Sequence, residues 1–436
     1  MALTDGFGAA VSHHQQRDVD DFYSAAQDLL GYKPDPINKI NQVLQRSPDF
    51  IMGHCFRAGM HLIASDFNQQ HKLANKYQIL QQLSHAANDR ELGHIKAIGQ
   101  WLDGNWYAAS QVYADILHYY PRDLTALQFG HQIDFLLGQS HSNRDRCARV
   151  LKHWSTADQD SSYLYGMLAF GLEESGHYPQ AEAMAEQCLN LNPQDAWGTH
   201  ALAHCYEMQG ESQQGMAFMQ RSEEHWSRDN YLAIHNRWHS TLFMLEQCEF
   251  DRALVVYDQH LKVHADSELM DMHDAVALLW RLTLLGCDVG NRWQSVADNY
   301  CKFIDQAYMP FNDMHAMMSF VMSGRNQEAQ LLIAVLEHQA ESDSTRSMII
   351  RLAGLPILKA IIAFADGDFS TAKRLLTSSR HLSHLMGGSI AQRDILNLTL
   401  LEAARKSGDR QMLAGLLAER CLLKPESPLT QWFNRL

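Results

Sequence analysis

Apolar positions in this chain fall into helical stretches in which small residues recur at one fixed distance, and this pattern predicts a succession of helical hairpins. In GNWYAASQVYADILHYYP, Ala109 precedes Pro121, and in GHYPQAEAMAEQCLNLNP, Ala181 precedes Pro193 at the same offset of 12. CEFDRALVVYDQHL and GDFSTAKRLL supply Ala253 and Ala372 at the matching place, and GESQQGMAFM and GRNQEAQLLI add weaker members at Gly215 and Ala329. Twelve residues before four of these stand Ala97, Ala169, Ala203 and Ala360. Small residues at both places let two helices cross closely. Gly104-Asn105-Trp106, Gly176-His177-Tyr178 and Gly367-Asp368-Phe369 read as the short turns between them. No run of alternating β-branched residues with hairpin turns competes with this reading.

The intervals between second-helix markers are 72, 34, 38, 76 and 43 residues, one or two units each. That period is the one expected of a tetratricopeptide hairpin. The sequence therefore predicts an all-α fold, a tetratricopeptide-like α-α superhelix (a solenoid of helical hairpins) forming one continuous structural domain. Residues 1–46 are expected as an N-terminal helical cap, 47–405 as the superhelix and 406–436 as C-terminal capping helices, since terminal repeats must present a polar outer face.

Onto this period falls a second one. His200 and His204 are four residues apart, as are His235 and His239, and the pairs are offset by 35. Residues four apart share one helix face, so equivalent helices of neighbouring repeats would gather four imidazoles on the groove-lining side. Glu207 shares that face; Asn236 and Arg237 follow His235. ELMDMHDAV adds Asp271, His273 and Asp274, and FNDMH adds Asn312, Asp313 and His315, with His54 and His131 as upstream counterparts. Trp197 and Trp238 stand where they could wall a ligand pocket.

Three readings of the cluster compete. The H-x-x-x-H pairs are half-sites for a divalent metal such as zinc, iron or manganese, with His200, His204, His235 and His239 as ligands. Alternatively, the imidazoles serve as neutral hydrogen-bonding or acid/base groups around a small molecule or peptide, His200, His204, His235, His239, Asp313 and His315 then being the catalytic candidates. In the third reading they pair among themselves and only hold structure. Ala201 follows His200, so the general-base glutamate of a zincin is absent. GGSIAQRD also divides two ways. Its glycines could open a helix start to an anion, with Gln392, Arg393 and Asp394 close by, whereas Ser389 and Gln392 together are a capping box that needs no ligand.

Composition narrows the partners. The 436 residues carry 50 acidic and 36 basic side chains, a formal charge of −14, with no basic stripe, which argues against nucleic acid. Eight scattered cysteines without C-x-x-C predict reduced, mostly buried thiols and a cytoplasmic setting. No signal-peptide pattern opens the chain. The most apolar stretch, from Met348, is interrupted by Arg351, Pro356 and Lys359 and is read as too short and too charged to cross a membrane. No P-loop, dinucleotide fingerprint or G-x-S-x-G occurs.

From about Ser47 to Thr430 the chain resembles the tetratricopeptide repeat protein 38 family, in FIMGHC, NPQDAWGTHALAHCYEMQG, HNRWHSTLFMLE, VGNRWQSV, FNDMH, GGSIAQRDIL and the terminal SPLT. The resemblance implies a tetratricopeptide-like superhelix occupying nearly the whole chain, and it implies no reaction.

Overall fold

A computed structural model describes residues 3–66 and 68–435. The chain is all-α, with helices running in sequence-adjacent antiparallel pairs, apart from one short hairpin in which Leu3–Thr4 pairs with Ala10–Val11. No strand was expected there. The pairs are those that the repeat pattern predicts: Asp89–Leu102 with Trp106–Tyr119, Ser161–Glu173 with Tyr178–Leu191, and Ala233–Glu246 with Phe250–Val256. Later in the chain, Ile390–Lys406 precedes Arg410–Leu423.

The small residues do what their recurrence requires. Ala97, Ala109, Ala169, Ala181, Ala203, Ala253, Ala360 and Ala372 are all fully buried. At Gly215 an added Cβ would run into the Phe243 ring, so that crossing needs glycine itself. Gly104, Gly176 and Gly367 have φ of 78°, 79° and 79°, the left-handed conformation that ends one helix and reverses the chain into the next. Between Ala233–Glu246 and Phe250–Val256 the same place is held by Cys248, at φ 60°.

Contacts group the chain into two compact units, one of residues 1–202 with 228–232, the other of residues 203–227 with 233–436. In the first unit, Asp5 accepts hydrogen bonds from the Phe7 and Ala9 amides at 3.1 and 3.0 Å and pairs with Arg90 at 2.7 Å. Arg90 also grips Asp123 at 2.6 Å, and His94 reaches Asp123 at 3.0 Å. All four side chains are buried. This ion cluster fastens the N-terminal hairpin to the helical stack, a connection 85 residues long in sequence.

Two expectations need correction. Thr345–Ala365 is one continuous 21-residue helix with mean hydropathy 2.0, long and apolar enough to cross a membrane by length and composition. Pro356 does not break it, because the helix loosens into a π turn over Ile350–Gly354 just before the ring. Half of its most apolar window is buried within the protein. The cysteines are all free, but only Cys55, Cys147, Cys188 and Cys205 are buried; Cys421 is exposed.

Candidate functional site

The second unit gathers most of the singled-out residues in its interior. Ala233–Glu246 supplies His235, Trp238 and His239; Leu269–Leu284 supplies His273, Asp274 and Arg281; Pro310–Met322 supplies Asp313 and His315. Each lies on the first helix of its hairpin and is buried. His204 and Glu207 enter from the C-terminal half of Ala196–Met208.

His235 Nδ1 meets both oxygens of Asp274, at 2.9 and 3.0 Å. Its ring lies parallel to Trp238, 5.3 Å away, and edge-on to His239 at 4.9 Å. The His239 ring is in turn 4.5 Å from that of His204, and its Nδ1 is 3.5 Å from Glu207 Oε2. The other Glu207 oxygen faces Lys424 Nζ at 3.8 Å. Burial pushes His239 well below the ordinary histidine range, with His204, His235 and Arg281 adding to the effect, so this imidazole is neutral near pH 7.

A second pair adjoins this chain of rings. His273 and His315 have ring centroids 4.9 Å apart, and both pack on Phe311. His315 Nδ1 donates to the Phe311 carbonyl at 2.8 Å, and burial lowers its pKa to about 4. His273 is likewise pushed well down by burial, and Asn312 hydrogen-bonds to it. Burial raises Asp313 to about 8, outweighing the pull of Arg346, and it carries a proton near pH 7. Asp271, at the rim, is raised to about 6 by burial and by Asp274.

Arg281 is the residue that sequence reasoning missed. It is buried, stacks 5.4 Å over the Trp238 ring, and donates to the carbonyls of Ala277 at 3.0 Å and Ala391 at 2.7 Å. It forms no ion pair with a carboxylate among the described residues, and burial lowers its pKa. Beside it, Arg420 holds Asp394 through both carboxylate oxygens at 3.0 Å. Glu207, Met208, Ile390, Asp394, Arg420 and Lys424 line a cavity of about 70 Å³. That is room for a few waters or one small polar group, well short of a drug-sized ligand.

In GGSIAQRD the capping box forms. Ser389 Oγ accepts from the Gln392 amide at 3.2 Å, and Gln392 Oε1 accepts from the Ser389 amide at 2.9 Å, so a capping box completes this helix start. Arg393 folds back onto the Gly388 carbonyl. The segment still adjoins the site, through Arg281 on Ala391 and Gly388 under Phe311.

Other candidates lie elsewhere. Arg237 pairs with Glu223 and covers the Trp226 ring at 5.0 Å, away from the imidazoles. Asn236 is buried beside His235. In the first unit, His54, in the first turn of Ile51–Ile63, donates from Nε2 to the Pro48 carbonyl just before that helix, 2.8 Å away. Trp197 stacks on Tyr32 at 5.4 Å, and His200 packs against Trp197 and Phe170 at 4.6 and 5.4 Å. The first unit also has an open groove of about 730 Å³ that includes His118, Arg149, Lys152 and His153, none of them anticipated.

No family model matches the chain. Among solved structures it is similar to Naa15/Naa10 bound to HypK-THB, at 12% identity and TM-score 0.26, over 96% of this chain and 65% of that one. Yeast Tom70 matches at 12% identity and TM-score 0.34, over 94% of this chain and 92% of that one. This chain thus spans about two thirds of the length of the Naa15/Naa10 chain. Paired helices, buried crossing alanines and left-handed glycine turns make it a tetratricopeptide-like helical repeat protein.

Proposed function

We propose that this protein, as a member of the tetratricopeptide repeat protein 38 family, binds a ligand carrying a carboxylate in the polar interior of its second unit. The observation that carries the reading is Arg281, a buried guanidinium that, among the described residues, hydrogen-bonds to backbone carbonyls and stacks on one aromatic face. Asp394, Glu207 and Asp274 act on this guanidinium only at longer range, and a buried charge with no carboxylate in contact is costly. A ligand carboxylate would offset that cost through the two-pronged hydrogen bonding that suits a guanidinium. Neutral His239 and the His235–Asp274 pair would supply hydrogen bonds to the rest of the ligand.

Small organic acids and the free C-terminus of a peptide offer the same chemistry. The test is differential scanning fluorimetry with mono- and dicarboxylic acids and with peptides bearing free or amidated C-termini. A rise in melting temperature for one carboxylate class, absent in Arg281→Met, supports the reading and identifies the source. If no class shifts the wild type, or if Arg281→Met responds equally, the reading is wrong.

A second reading, acid/base catalysis on the bound molecule, is favoured by one arrangement. Asp274 holds His235 through Nδ1 and orients the ring, as a carboxylate does for an imidazole used in proton transfer.

A further inference from the structure

The open groove of about 730 Å³ in the first unit has a chemistry of its own. It is lined from Trp106–Tyr119 and Ser140–Leu151, the second helices of two successive hairpins, and from the turns that follow them. Leu117 and Val150 are its buried apolar base, with Pro121 beside them. Trp154 holds this region in place: its indole donates to the Pro121 carbonyl at 3.3 Å, and Arg122 covers its ring at 4.2 Å while pairing with Asp158. Around the base stand Arg149, Lys152, His118 and His153, all exposed. Nearby charges leave the two cations unmatched. Arg146 is spent on Asp134 and Ser110. Asp145, four residues before Arg149, accepts from Arg144 at 2.8 Å and acts on Arg149 only at longer range. Asp115, on the facing helix, accepts from Gln111 at 2.9 Å. Among the described residues neither Arg149 nor Lys152 forms an ion pair. Next to the groove, Tyr119 is 76% exposed, edge-on to the His118 ring at 4.8 Å.

We infer that this groove is a docking site for an acidic peptide segment of another protein, one that lays a large apolar side chain on Leu117 and Val150 and sets Asp or Glu against Arg149 and Lys152. The site belongs to the first unit and stands without the Arg281 reading. A protein of net charge −14 that keeps two unpaired cations over an apolar base reverses its own field there, and the complement is a negative partner. Charge alone would hold little, since an exposed ion pair contributes at most about a fivefold gain in affinity. The apolar base supplies the anchor, which favours a chain carrying both features over a bare anion. A small molecule is normally enclosed over most of its surface, whereas an open groove between two helices suits a peptide segment. Nucleic acid needs a longer run of cations than these two, and Asp115 in the same groove repels phosphate.

The test is a synthetic library of peptides with amidated C-termini, screened against the full-length protein, with enriched sequences measured by fluorescence polarisation. Amidation keeps a free C-terminal carboxylate out of the readout. Enriched sequences should place Asp or Glu beside Leu, Ile or Phe. The double variant Arg149→Glu/Lys152→Glu should bind them about 10-fold more weakly or worse. Arg374→Glu/Arg410→Glu, an equal change of charge at exposed positions of the second unit, should bind as wild type does. The same peptides with Lys in place of Asp and Glu should regain affinity for the Arg149→Glu/Lys152→Glu protein, a gain that a misfolded variant would not show. Circular dichroism checks that each variant keeps its helices. A library without acidic–apolar enrichment, or enriched peptides that bind the double variant as tightly as wild type, would overturn the site. A labelled single-stranded oligonucleotide is run beside the peptides; binding that depends on Arg149 and Lys152, with no peptide enriched, would overturn the peptide in favour of nucleic acid.

Discussion

Asp274 receives the Nδ1 edge of His235 with both of its oxygens, across 39 residues of sequence and two adjacent hairpins. Burial raises the Asp274 pKa, and His235 opposes the rise. The pair fixes the His235 ring against Trp238, so its main effect should be on orientation. Asp274→Asn keeps the shape and one hydrogen bond. It should lower affinity for the carboxylate ligand by about 10-fold or more while changing stability by only about 1–2 kcal/mol. Isothermal titration beside thermal melts checks this; a large melting loss with unchanged affinity would make the pair structural.

Arg90 stands between two buried carboxylates, Asp5 and Asp123. Removing one partner of a buried ionic cluster leaves an uncompensated charge. Arg90→Met should therefore cost about 3–5 kcal/mol and release the N-terminal hairpin. Hydrogen exchange at the Phe7 and Ala9 amides, which Asp5 accepts, would report the release directly.

Asp313 makes stability depend on pH in a direction opposite to that of an ordinary carboxylate. Its folded pKa of about 8 exceeds the unfolded 3.8, so between these values the native state holds the extra proton and stability falls as pH rises. Asp313→Asn removes that slope. The variant should melt higher than wild type at pH 7–8, by a margin on the order of a few kcal/mol that vanishes near pH 4. Melting curves across that range decide it; parallel curves would show that Asp313 is ionised when folded.

The buried imidazoles pull the other way. Burial lowers His315 to about 4 and His131 to about 3, so unfolding takes up protons between those values and 6.5. Stability from these groups is complete above pH 6.5 and is lost as pH falls through that window. His131→Gln should lessen acid sensitivity, measured as the change in melting temperature between pH 7 and pH 5.

Cys248 occupies a left-handed turn position that glycine fills in the equivalent turns at 104, 176 and 367. A side chain there is strained, so Cys248→Gly should raise stability by roughly 1 kcal/mol. Chemical denaturation would reveal a decrease instead if contacts of the half-buried sulfur outweigh the strain.

The hairpins were readable because their markers are local: an alanine where helices cross, a glycine where the chain reverses, a proline where the unit closes. The helix faces of His204, Glu207, His235 and His239 followed from the same period. Pairings did not, since Asp274 and Lys424 reach their partners across different hairpins. Arg281 had a signal, a lone charge inside AVALLWRLTLLG, a stretch otherwise apolar apart from Thr283 that must find the guanidinium a special place. The Ser389–Gln392 capping box was also legible, because both of its residues are local to one helix start. The N-terminal strands left no trace in the sequence pattern, each being only two residues long.

Trp280 donates its indole N–H to Thr399 Oγ1 at 2.9 Å, and Arg281 reaches the Ala391 carbonyl, spans of 119 and 110 residues. An ordinary repeat array touches only its immediate neighbours, so hairpins can be peeled from an end or duplicated without disturbing the rest. Within the second unit these contacts tie an early hairpin to a late one and abolish that modularity. Trimming the chain before Thr399 would not shorten this unit; it would uncover Trp280 and leave the Arg281 guanidinium without a lid. Between them, evolution could not have inserted another repeat without rebuilding the closure.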